Sequence, residues 1–470
     1  MVFADLLFIF LFLPLCLLAY YFFSGIRAKN TVLIVFSLIF YAWGEPIWIF
    51  LLLFSAAFNW YMGLKITRYQ GRSLGKAVLV LALVVDIGLL LTFKYTGFFL
   101  QTLNSVFGSS IPIPSFVLPI GISIYTLQAV SYIIDCYRGE VQPQSKFSLF
   151  LLYFSLFPKL IAGPVTSYRT LAAELPDRQP DSVEIYGGIM RFVTGLTKKV
   201  LIADSLWPIV QSFWEPDITG LSVLGTWYIA IIYPLYLYFD LSGWSDMAIG
   251  MGQLFGFHFP ENFSHPFTCR SITDFWQRWH MTLTAFFREY LFHLPIFSKH
   301  GKYAGFFLTW FCIGLWHGAS WNCVLWGLYF GAFILFEHAL GKRGPDKWPV
   351  WASHIYSKLV LLIGFGILYF EDFGQLGRFF ANLSGASLFT SGNALADILT
   401  WNSFTSHVFL IIAAIILCMP VREKITSFFL SRKDLSTLRR VRIVQMLCCI
   451  LLLAICAVLL AGKNSRPFLY

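Results

Sequence analysis

The chain has 470 residues, of which 58% are hydrophobic and only 12% are charged. Because a soluble globular protein carries about 25% charged residues, this composition excludes an ordinary soluble enzyme, a coiled coil and a disordered chain. The 50 Phe residues among 19% aromatics also exclude a low-complexity polymer. An all-α polytopic membrane protein remains, with 34 basic and 24 acidic residues giving a net charge of +10.

Apolar runs long enough to cross a bilayer recur along the whole chain. A crossing helix needs roughly 20 apolar residues. Such runs lie near 3–24, 31–54, 77–101, 115–135, 147–166, 185–206, 221–239, 303–316, 320–341, 353–371, 405–420 and 443–462. By that length we expect about ten to twelve spans. The first run has no basic n-region and no small-residue cleavage site, so it is expected to be an anchor rather than a removed signal peptide.

The basic residues are concentrated in the short loops between these runs. The clusters are Arg27 and Lys29; Lys65, Arg68, Arg72 and Lys76; and Arg422, Lys424, Arg432, Lys433, Arg439, Arg440 and Arg442. Since basic loops face the cytoplasm, we expect a multi-pass protein with its N-terminus outside. The same placement argues against a nucleic-acid partner and leaves membrane lipid as the surrounding partner.

The nine cysteines are odd in number and lie mostly within apolar runs. They include neither a CxxC pair nor a Cys/His zinc spacing. We therefore interpret them as small buried hydrophobic residues and expect neither a disulfide scaffold nor a metal site.

Residues 257–302 break the apolar pattern with proline-bounded loops that lead into a predicted helix. Ser271 and Asp274 fit a capping box that opens this helix, and Asp274 and Arg278 lie one turn apart and can form an ion pair. The predicted apolar face consists of Trp276, Trp279, Leu283, Phe286, Phe287 and Tyr290.

The charge of this helix favours the cytoplasmic side of the membrane. From Arg270 to Lys302 there are five basic and two acidic residues, a net charge of +3. This pattern predicts an interfacial or re-entrant amphipathic helix. The helix is either plainly peripheral or a binding site for an anionic ligand that carries an apolar tail or a nucleotide. His280 lies on it, and alone would be a surface or core histidine.

His317 lies in a stretch without Asp, Glu, Lys or Arg that runs from Tyr303 to Phe336. The nearest charged residue along the chain, Lys302, is 15 residues away, roughly 22 Å of helix. Because an ionisable group is costly inside a membrane, it suggests a functional site. A neutral imidazole can take a proton from a hydroxyl as a general base. A structural histidine and the proton relay of a transporter are the alternatives.

Several polar and small residues share the expected depth of His317. Glycines occur near it at a four-residue spacing, which lets a backbone or a ligand approach closely. They are Gly314, Gly318, Gly327 and Gly331, and the polar residues Ser320 and Asn322 lie among them. Two further groups occur in apolar surroundings: Asp240, Ser242, Ser245 and Asp246; and Tyr125, Gln128, Tyr132 and Asp135. Each could join helices, and together they suggest a polar lining inside the bundle.

Other catalytic signatures are absent from the sequence: there is no GxSxG elbow, P-loop or HExxH motif. Cys312 lies five residues before His317, but no cation flanks it to stabilise a thiolate.

Several long motifs in order resemble the membrane-bound O-acyltransferase superfamily, in particular its bacterial branch of alginate O-acetyltransferases and teichoic-acid D-alanyltransferases. They are MVFADLLFIFLFLPL at the start, LPIGISIYTLQAVSYIIDCYRGE at 118–140, LFPKLIAGPVTSY at 156–168, YFDLSGWSDMAIGMGQLFGFHFPENFSHPF at 238–267, DFWQRWHMTLTAFFREYLF at 274–292 and GLWHGASWNCVLWGLYFG at 314–331. Two departures are Lys159, where the family usually has Gln, and the HLPIFSKHGK stretch at 293–302.

This resemblance implies a single membrane domain over 1–470, with N-terminal helices (1–115), a catalytic core (116–340) and C-terminal helices (341–470). It implies a helical bundle in which a cytosolic and an exoplasmic cavity meet near the middle of the membrane. His317 matches the catalytic histidine of the family and His280 a second motif histidine. The candidate substrate-binding residues are Asn322, Trp279, Arg278, Ser320, Trp316 and Asp246.

The resemblance also implies the reaction and its partners. An acyl group, most simply acetyl, would move from acetyl-CoA or another cytosolic acyl thioester, or from an acyl carrier, to a hydroxyl outside the cytoplasm. No tightly bound cofactor is implied. The acceptor would be a polysaccharide or an exported SGNH-hydrolase-like acyltransferase, within a polysaccharide-synthesis complex at the bacterial inner membrane. A polysaccharide-precursor flippase that uses His317 as a proton relay is the alternative, and a scaffolding subunit is a second one.

Overall fold

The computed structural model describes residues 2–214, 220–293, 301–390, 393–421, 424–425, 427 and 435–462, with the backbone alone for residues 302 and 435–439. Three members of the last basic cluster, Arg422, Arg432 and Lys433, lie outside the described residues, as do residues 294–300 of the 293–302 stretch. Helices account for the regular structure of the described part, which contains no strand.

In chain order the α-helices are α1 (Leu13–Phe22), α2 (Ile26–Gly44), α3 (Ile49–Arg68), α4 (Ser73–Leu90), α5 (Thr96–Phe107), α6 (Ile122–Arg138), α7 (Phe147–Ser155), α8 (Phe157–Leu160), α9 (Tyr168–Leu171), α10 (Ser182–Thr197), α11 (Asp204–Trp214), α12 (Val223–Leu254), α13 (Ile272–Trp276), α14 (Met281–Phe287), α15 (Lys302–His317), α16 (Trp321–Leu340), α17 (Val350–Tyr369), α18 (Phe373–Ser384), α19 (Ser387–Thr390), α20 (Ile398–Leu417) and α21 (Leu435–Ala461). Turns of π-helix occur at Phe8–Phe12, Leu91–Tyr95, Lys198–Ala203 and Arg288–Phe292.

Seven helical stretches in the described part are long and apolar enough to cross a membrane. They are Ile26–Gly44, Ile49–Arg68, Ser73–Phe107, Trp321–Arg343, Val350–Tyr369, Ile398–Leu417 and Arg440–Ala461. Large apolar side chains on them are exposed, for example Phe50 at 73% and Phe409 at 85%, as expected for surfaces that face lipid. The prediction of an all-α polytopic membrane protein is confirmed.

Prolines lie where several of the predicted apolar runs are divided or shortened: the run 31–54 contributes to two candidate spans, whereas none of the seven candidate spans lies in the runs 115–135 and 147–166. The run 31–54 is divided between α2 and α3 at Glu45. Glu45 precedes Pro46, and the residue before a proline is disfavoured in a helix. The run 115–135 becomes helical only at Ile122, after a proline at position 119. The run 147–166 forms only the short helices α7 and α8.

The longest helix, α12, forms the centre of the bundle and is buried along most of its 32 residues. It packs closely against α10 because glycines face each other at the contact. A Cβ added to Gly195 would lie 2.6 Å from the carbonyl oxygen of Gly243, and one added to Gly250 would lie 2.6 Å from that of Gly188. Small residues at such contacts let helix backbones approach in a membrane.

The segment around His280 differs from the single amphipathic helix that we predicted. It forms two short helices, α13 and α14, separated by a turn at 277–280, and His280 has a left-handed backbone with φ +46° and ψ +48°. Tertiary bonds cause the break, because the Arg278 carbonyl accepts from Ser264 N–H at 2.9 Å and the Asn262 carbonyl accepts from Met281 N–H at 2.9 Å.

The local contacts of this segment follow the prediction in part. The Ser271 hydroxyl accepts from the Asp274 N–H at 3.0 Å, but the Asp274 carboxylate accepts from Arg270 N–H rather than from Ser271, so only half of the capping box forms. The ion pair of Asp274 with Arg278 is confirmed at 2.6 Å. The predicted apolar face is buried, but inside the bundle, and the segment is not a peripheral helix.

The cysteines agree with their interpretation as hydrophobic residues. All nine are free, and seven of them are buried, whereas Cys312 is partly exposed and Cys448 is exposed.

Candidate active site

The structure brings His280 and His317 together from distant parts of the sequence. Their ring centroids are 6.3 Å apart at an interplanar angle of 81°. The indole of Trp316 lies 5.8 Å from the ring of His280 and 5.3 Å from that of His317. His280 is 9% exposed and His317 is half-buried, so the pair combines an enclosed and a more accessible imidazole.

His317 occupies the last position of α15, where the chain changes direction. Gly318 and Ser320 are extended, and α16 begins at Trp321. The ring of His317 lies 4.7 Å from that of Trp326 on α16. The imidazole is thus held at a helix–helix corner rather than in the middle of a continuous span.

The glycines around His317 mainly serve contact between α15 and α16. A Cβ on Gly314 would lie 2.4 Å from the Cys323 carbonyl oxygen, and one on Gly327 would lie 2.3 Å from the Trp310 carbonyl oxygen. The Trp310 side chain occupies the space at Gly331. The glycine spacing predicted the close approach of a backbone or a ligand, and at these positions it is the backbone and side chains of the neighbouring helix that approach.

Buried nitrogen atoms at the site have no hydrogen-bond partner among the described residues. They include Nε2 of His317, Nδ1 of His280, and Nε1 of Trp276, Trp316 and Trp326. An imidazole nitrogen without a partner can accept a proton, and an indole N–H can only donate. The arrangement therefore offers candidate proton acceptors beside donors that could bind an oxygen.

The loop before His280 fixes its turn. Oδ1 of Asn262 accepts from the Thr282 N–H at 3.3 Å and from its hydroxyl at 2.8 Å. The same hydroxyl accepts from the Val165 N–H at 3.0 Å. This network connects three of the motifs singled out in the sequence, at 156–168, 238–267 and 274–292.

Of three further candidate binding residues, Asn322 and Trp279 lie in structural contacts, and Ser320 lies directly before α16. Asn322 is 1% exposed and donates to the carbonyls of Ile367 at 3.3 Å and Leu368 at 3.0 Å, while its Oδ1 has no partner among the described residues. Ser320 precedes α16 without capping it. The Trp279 ring is 2% exposed and packs 5.4 Å from that of Phe365. Their roles in substrate binding stay predictions.

Asp246 and Arg278 are engaged in ion pairs. The two carboxylate oxygens of Asp246 lie 2.6 Å from Arg191 and 2.7 Å from Lys198, and Arg191 also pairs with Glu261 at 2.6 Å. Arg278 pairs with Asp274. The substrate-binding roles of Asp246 and Arg278 stay predictions.

Part of the expected polar lining forms bridges between elements, and part of it has no hydrogen-bond partner among the described residues. Asp240 pairs with Lys199 at 2.5 Å, and Asp135 accepts from the Tyr290 hydroxyl at 2.9 Å. Gln128 is fully buried, and both its amide atoms are without a partner among the described residues.

Three charged residues with buried contacts, two of them next to elements of the site, were missed in the sequence. The Lys94 ammonium lies 2.5 Å from the Trp316 carbonyl oxygen, so a charge from another helix sits much nearer to His317 than the count along its own helix suggested. Asp86 accepts from Asn59 at 2.8 Å in the buried core. A Lys and an Asp inside the run 77–101 were the available signal. Glu337 caps the start of α13 with three hydrogen bonds.

An apolar cavity of about 400 Å³ is lined by residues close in sequence to the two histidines, although neither His280 nor His317 is part of its wall. Its wall includes Met281, which follows His280, and Ile313, one turn before His317. Gln277, Thr284 and Arg288 add polar groups. A second cavity of about 590 Å³ shares Thr273, Phe292, Phe306 and Ile334 with it. Volumes of this size accommodate small-molecule ligands.

The fold and the site define a multi-pass helical membrane protein in which two histidines face each other within the bundle. Residues 122–368 match the MBOAT, membrane-bound O-acyltransferase family. The probable alginate O-acetylase of Azotobacter vinelandii is 37% identical over 81% of this chain and 77% of its own length. The peptidoglycan O-acetyltransferase of Helicobacter pylori is 35% identical over 72% and 71%, and the teichoic acid D-alanyltransferase of Bacillus subtilis is 30% identical over 49% and 61%.

The chain belongs to the membrane-bound O-acyltransferase family and is a membrane O-acyltransferase. The named relatives agree with the branch that the sequence motifs indicated. They favour acyl transfer over the flippase interpretation of His317.

Proposed function

We propose that this enzyme transfers an acetyl group from a cytosolic thioester, acetyl-CoA or an acyl carrier, to a hydroxyl group outside the cytoplasm. The observation that carries the proposal is the convergence of His280 and His317, with ring centroids 6.3 Å apart and with unpartnered nitrogens. The enzyme would act in the inner membrane of a bacterium, where a donor and an acceptor in different compartments have to meet.

In the proposed mechanism, His317 is the general base. Its imidazole takes the proton of the acceptor hydroxyl as the oxygen attacks the thioester carbonyl. The tetrahedral intermediate then collapses, the carbon–sulfur bond breaks, and the imidazolium returns the proton to the leaving thiolate. General-base catalysis contributes typically about 10²–10⁴-fold. His280 and the free indole N–H of Trp316 are suited to orient or polarise the carbonyl.

The apolar cavity beside Met281 and Ile313 supports a binding place for the acyl arm of the donor. Arg288 lines it and is exposed, which suits a donor that carries phosphates, because guanidinium groups bind phosphate oxygens strongly. Holding donor and acceptor in register can supply up to about 7–11 kcal/mol of the barrier.

The relatives named above indicate the class of acceptor. They are named for alginate, peptidoglycan and teichoic acid, so a cell-envelope or secreted polymer is the proposed class. Transfer could be direct, or it could pass through an exported SGNH-hydrolase-like acyltransferase of a polysaccharide-synthesis complex. Both routes use the same step at His317.

The test compares His317→Ala with His407→Ala in the producing cells. His407 is a matched control because, like His317, it lies on an apolar helix, in this case α20. Its ring is hydrogen-bonded to the carbonyl of Ser403 on the same helix. We expect loss of polymer-bound acetyl in His317→Ala and normal acetylation in His407→Ala, at equal membrane abundance. Vesicles given labelled acetyl-CoA should release free thiol only when His317 is intact. Wild-type acetylation in His317→Ala would refute the proposal, and a flippase would release no thiol.

A further inference from the structure

The end of α15 carries carbonyl groups that the helix itself leaves without partners. The last four carbonyls of an α-helix have no intrahelical donor, and in α15 these belong to the turn that ends at His317. The Lys94 ammonium donates to the Trp316 carbonyl at 2.5 Å, and the Tyr95 hydroxyl donates to the Leu315 carbonyl at 2.8 Å. Two consecutive side chains therefore cap two consecutive carbonyls directly before His317.

The cap is built from a part of the chain far from His317 in sequence. Lys94 and Tyr95 end the π-helical turn Leu91–Tyr95, between α4 and α5. Single π turns inside longer helices are frequent at functional sites. The match to the family covers residues 122–368, so it includes His317 and leaves out this cap.

Further contacts extend the cap to both sides of His317. On α5, the Thr102 hydroxyl accepts from Nε1 of Trp321 at 3.1 Å, and the ring of Phe98 lies 5.3 Å from that of Trp321. The helical stretch Ser73–Phe107 thus holds the chain before and after the histidine.

The charge of Lys94 suits this place. A cation near the C-terminus of a helix interacts favourably with the helix dipole. Its ammonium also lies 5.5 Å from the centre of the Trp316 ring, within the range of a cation–π contact, and 3.4 Å from the Ser123 hydroxyl. The same Trp316 ring adjoins both histidines. Lys94 therefore contacts the backbone and the side chain that set the position of the imidazole.

We propose that Lys94 and Tyr95 are positioning residues for His317, which hold the last turn of α15 so that its imidazole faces His280. This inference rests on the proposed function of His317 as the general base. A displacement of about 1 Å can cost about 10²-fold in rate, so the cap acts on turnover without contacting the donor.

The experiment uses inside-out membrane vesicles from producing cells, which supply the natural acceptor, and acetyl-CoA as the probe. We expect Lys94→Met to lower the turnover rate per enzyme by about 10- to 100-fold with an unchanged KM for acetyl-CoA. Lys94→Arg keeps the charge and the donors and should recover most of the rate, and Tyr95→Phe should give a smaller loss than Lys94→Met. Lys76→Met removes an exposed lysine of α4 and should behave as wild type.

A double variant separates positioning from general stability. Lys94→Met combined with His317→Ala should lose no more activity than His317→Ala alone, because both changes act on one group. Wild-type turnover in Lys94→Met, or a lowered thermal midpoint with no recovery in Lys94→Arg, would overturn the inference. If instead His317→Ala is fully active, the proposed function itself fails, and the two failures are distinguishable.

Discussion

Thr273 donates both its backbone N–H, at 2.8 Å, and its hydroxyl, at 2.6 Å, to one carboxylate oxygen of Glu337. The other oxygen accepts from the Ile272 N–H at 2.6 Å. The carboxylate of α16 thus caps the first turn of α13, the helix that leads to His280. Because Glu337 is 7% exposed, solvent replaces these bonds poorly.

Glu337→Gln is therefore expected to destabilise the enzyme and lower its activity. The amide keeps the shape of the side chain but turns one acceptor into a donor that faces a backbone or hydroxyl donor. An unsatisfied buried donor costs about 1–3 kcal/mol. The thermal midpoint of the detergent-solubilised protein and acetyl transfer by vesicles measure the two effects. Glu371→Gln, at an exposed acid, is the control, and equal midpoints in both variants would contradict the role of the cap.

His280 is expected to contribute through both its backbone and its side chain. Its φ of +46° is a left-handed conformation that glycine and asparagine tolerate better than alanine. His280→Asn should therefore fold normally and lose activity, since it removes the imidazole alone. His280→Ala should lose activity and some stability, by about 1 kcal/mol.

The comparison of His280→Asn with His280→Gly isolates the imidazole, since both replacements accept the turn. Acetylation of the polymer at equal membrane abundance is the measurement. A fully active asparagine or glycine variant would reduce His280 to a packing residue.

The class of fold could be predicted from the sequence, and His317 was singled out by its neighbours and His280 by the family resemblance, but the contact between their rings and their surroundings could not be predicted. Composition and the length of the apolar runs are local properties, so they indicate a helical membrane protein. His317 stood out because it lies in a long uncharged stretch. The break at 277–280 was missed because Asn262 and Ser264, outside the predicted helix, bind that turn.

Long-range contacts explain the missed residues too. Lys94 is 223 positions before His317, and nothing in the pattern of either segment says which helices pack together. Asp246 is a second example: its role in substrate binding stays a prediction, and its ion pairs with Arg191 and Lys198 could not be predicted from its polar sequence context. Ion pairs of this kind depend on the packing of α10 against α12.

The close packing of α10 on α12 predicts that a single added methyl group lowers the stability of the protein. Gly195→Ala would place a Cβ 2.6 Å from both the Gly243 carbonyl oxygen and the Met247 nitrogen. These are backbone atoms, so the helices have to separate. Overpacking of this kind costs about 1–3 kcal/mol. The thermal midpoint should fall, and the ion pairs of Asp246 beside the contact should weaken.

Gly377→Ala is the matched control for that variant. Gly377 also lies in a helix, α18, but an added Cβ would meet nothing within 4 Å. Alanine is favoured over glycine in a helix by up to about 1 kcal/mol, so this variant should be as stable as wild type or more stable. A similar loss in both variants would argue against the close contact.

His258 predicts a pH dependence outside the membrane-spanning helices. Its ring nitrogens lie 2.8 Å from Glu174 and 3.1 Å from Glu184, and these hydrogen bonds, that to Glu174 first, raise the pKa of His258 above its usual value. A raised pKa means that the protonated form is stabilised by folding. The stabilisation is fully present below the pKa of the unfolded chain and is lost as the pH rises through the folded pKa. His258→Gln should therefore lower the thermal midpoint more at pH 5.5 than at pH 8.5, by a modest amount because the side chain is 55% exposed. The measurement is a pair of melting curves for wild type and variant at each pH. A midpoint difference that is the same at both pH values would contradict the ion-pair assignment.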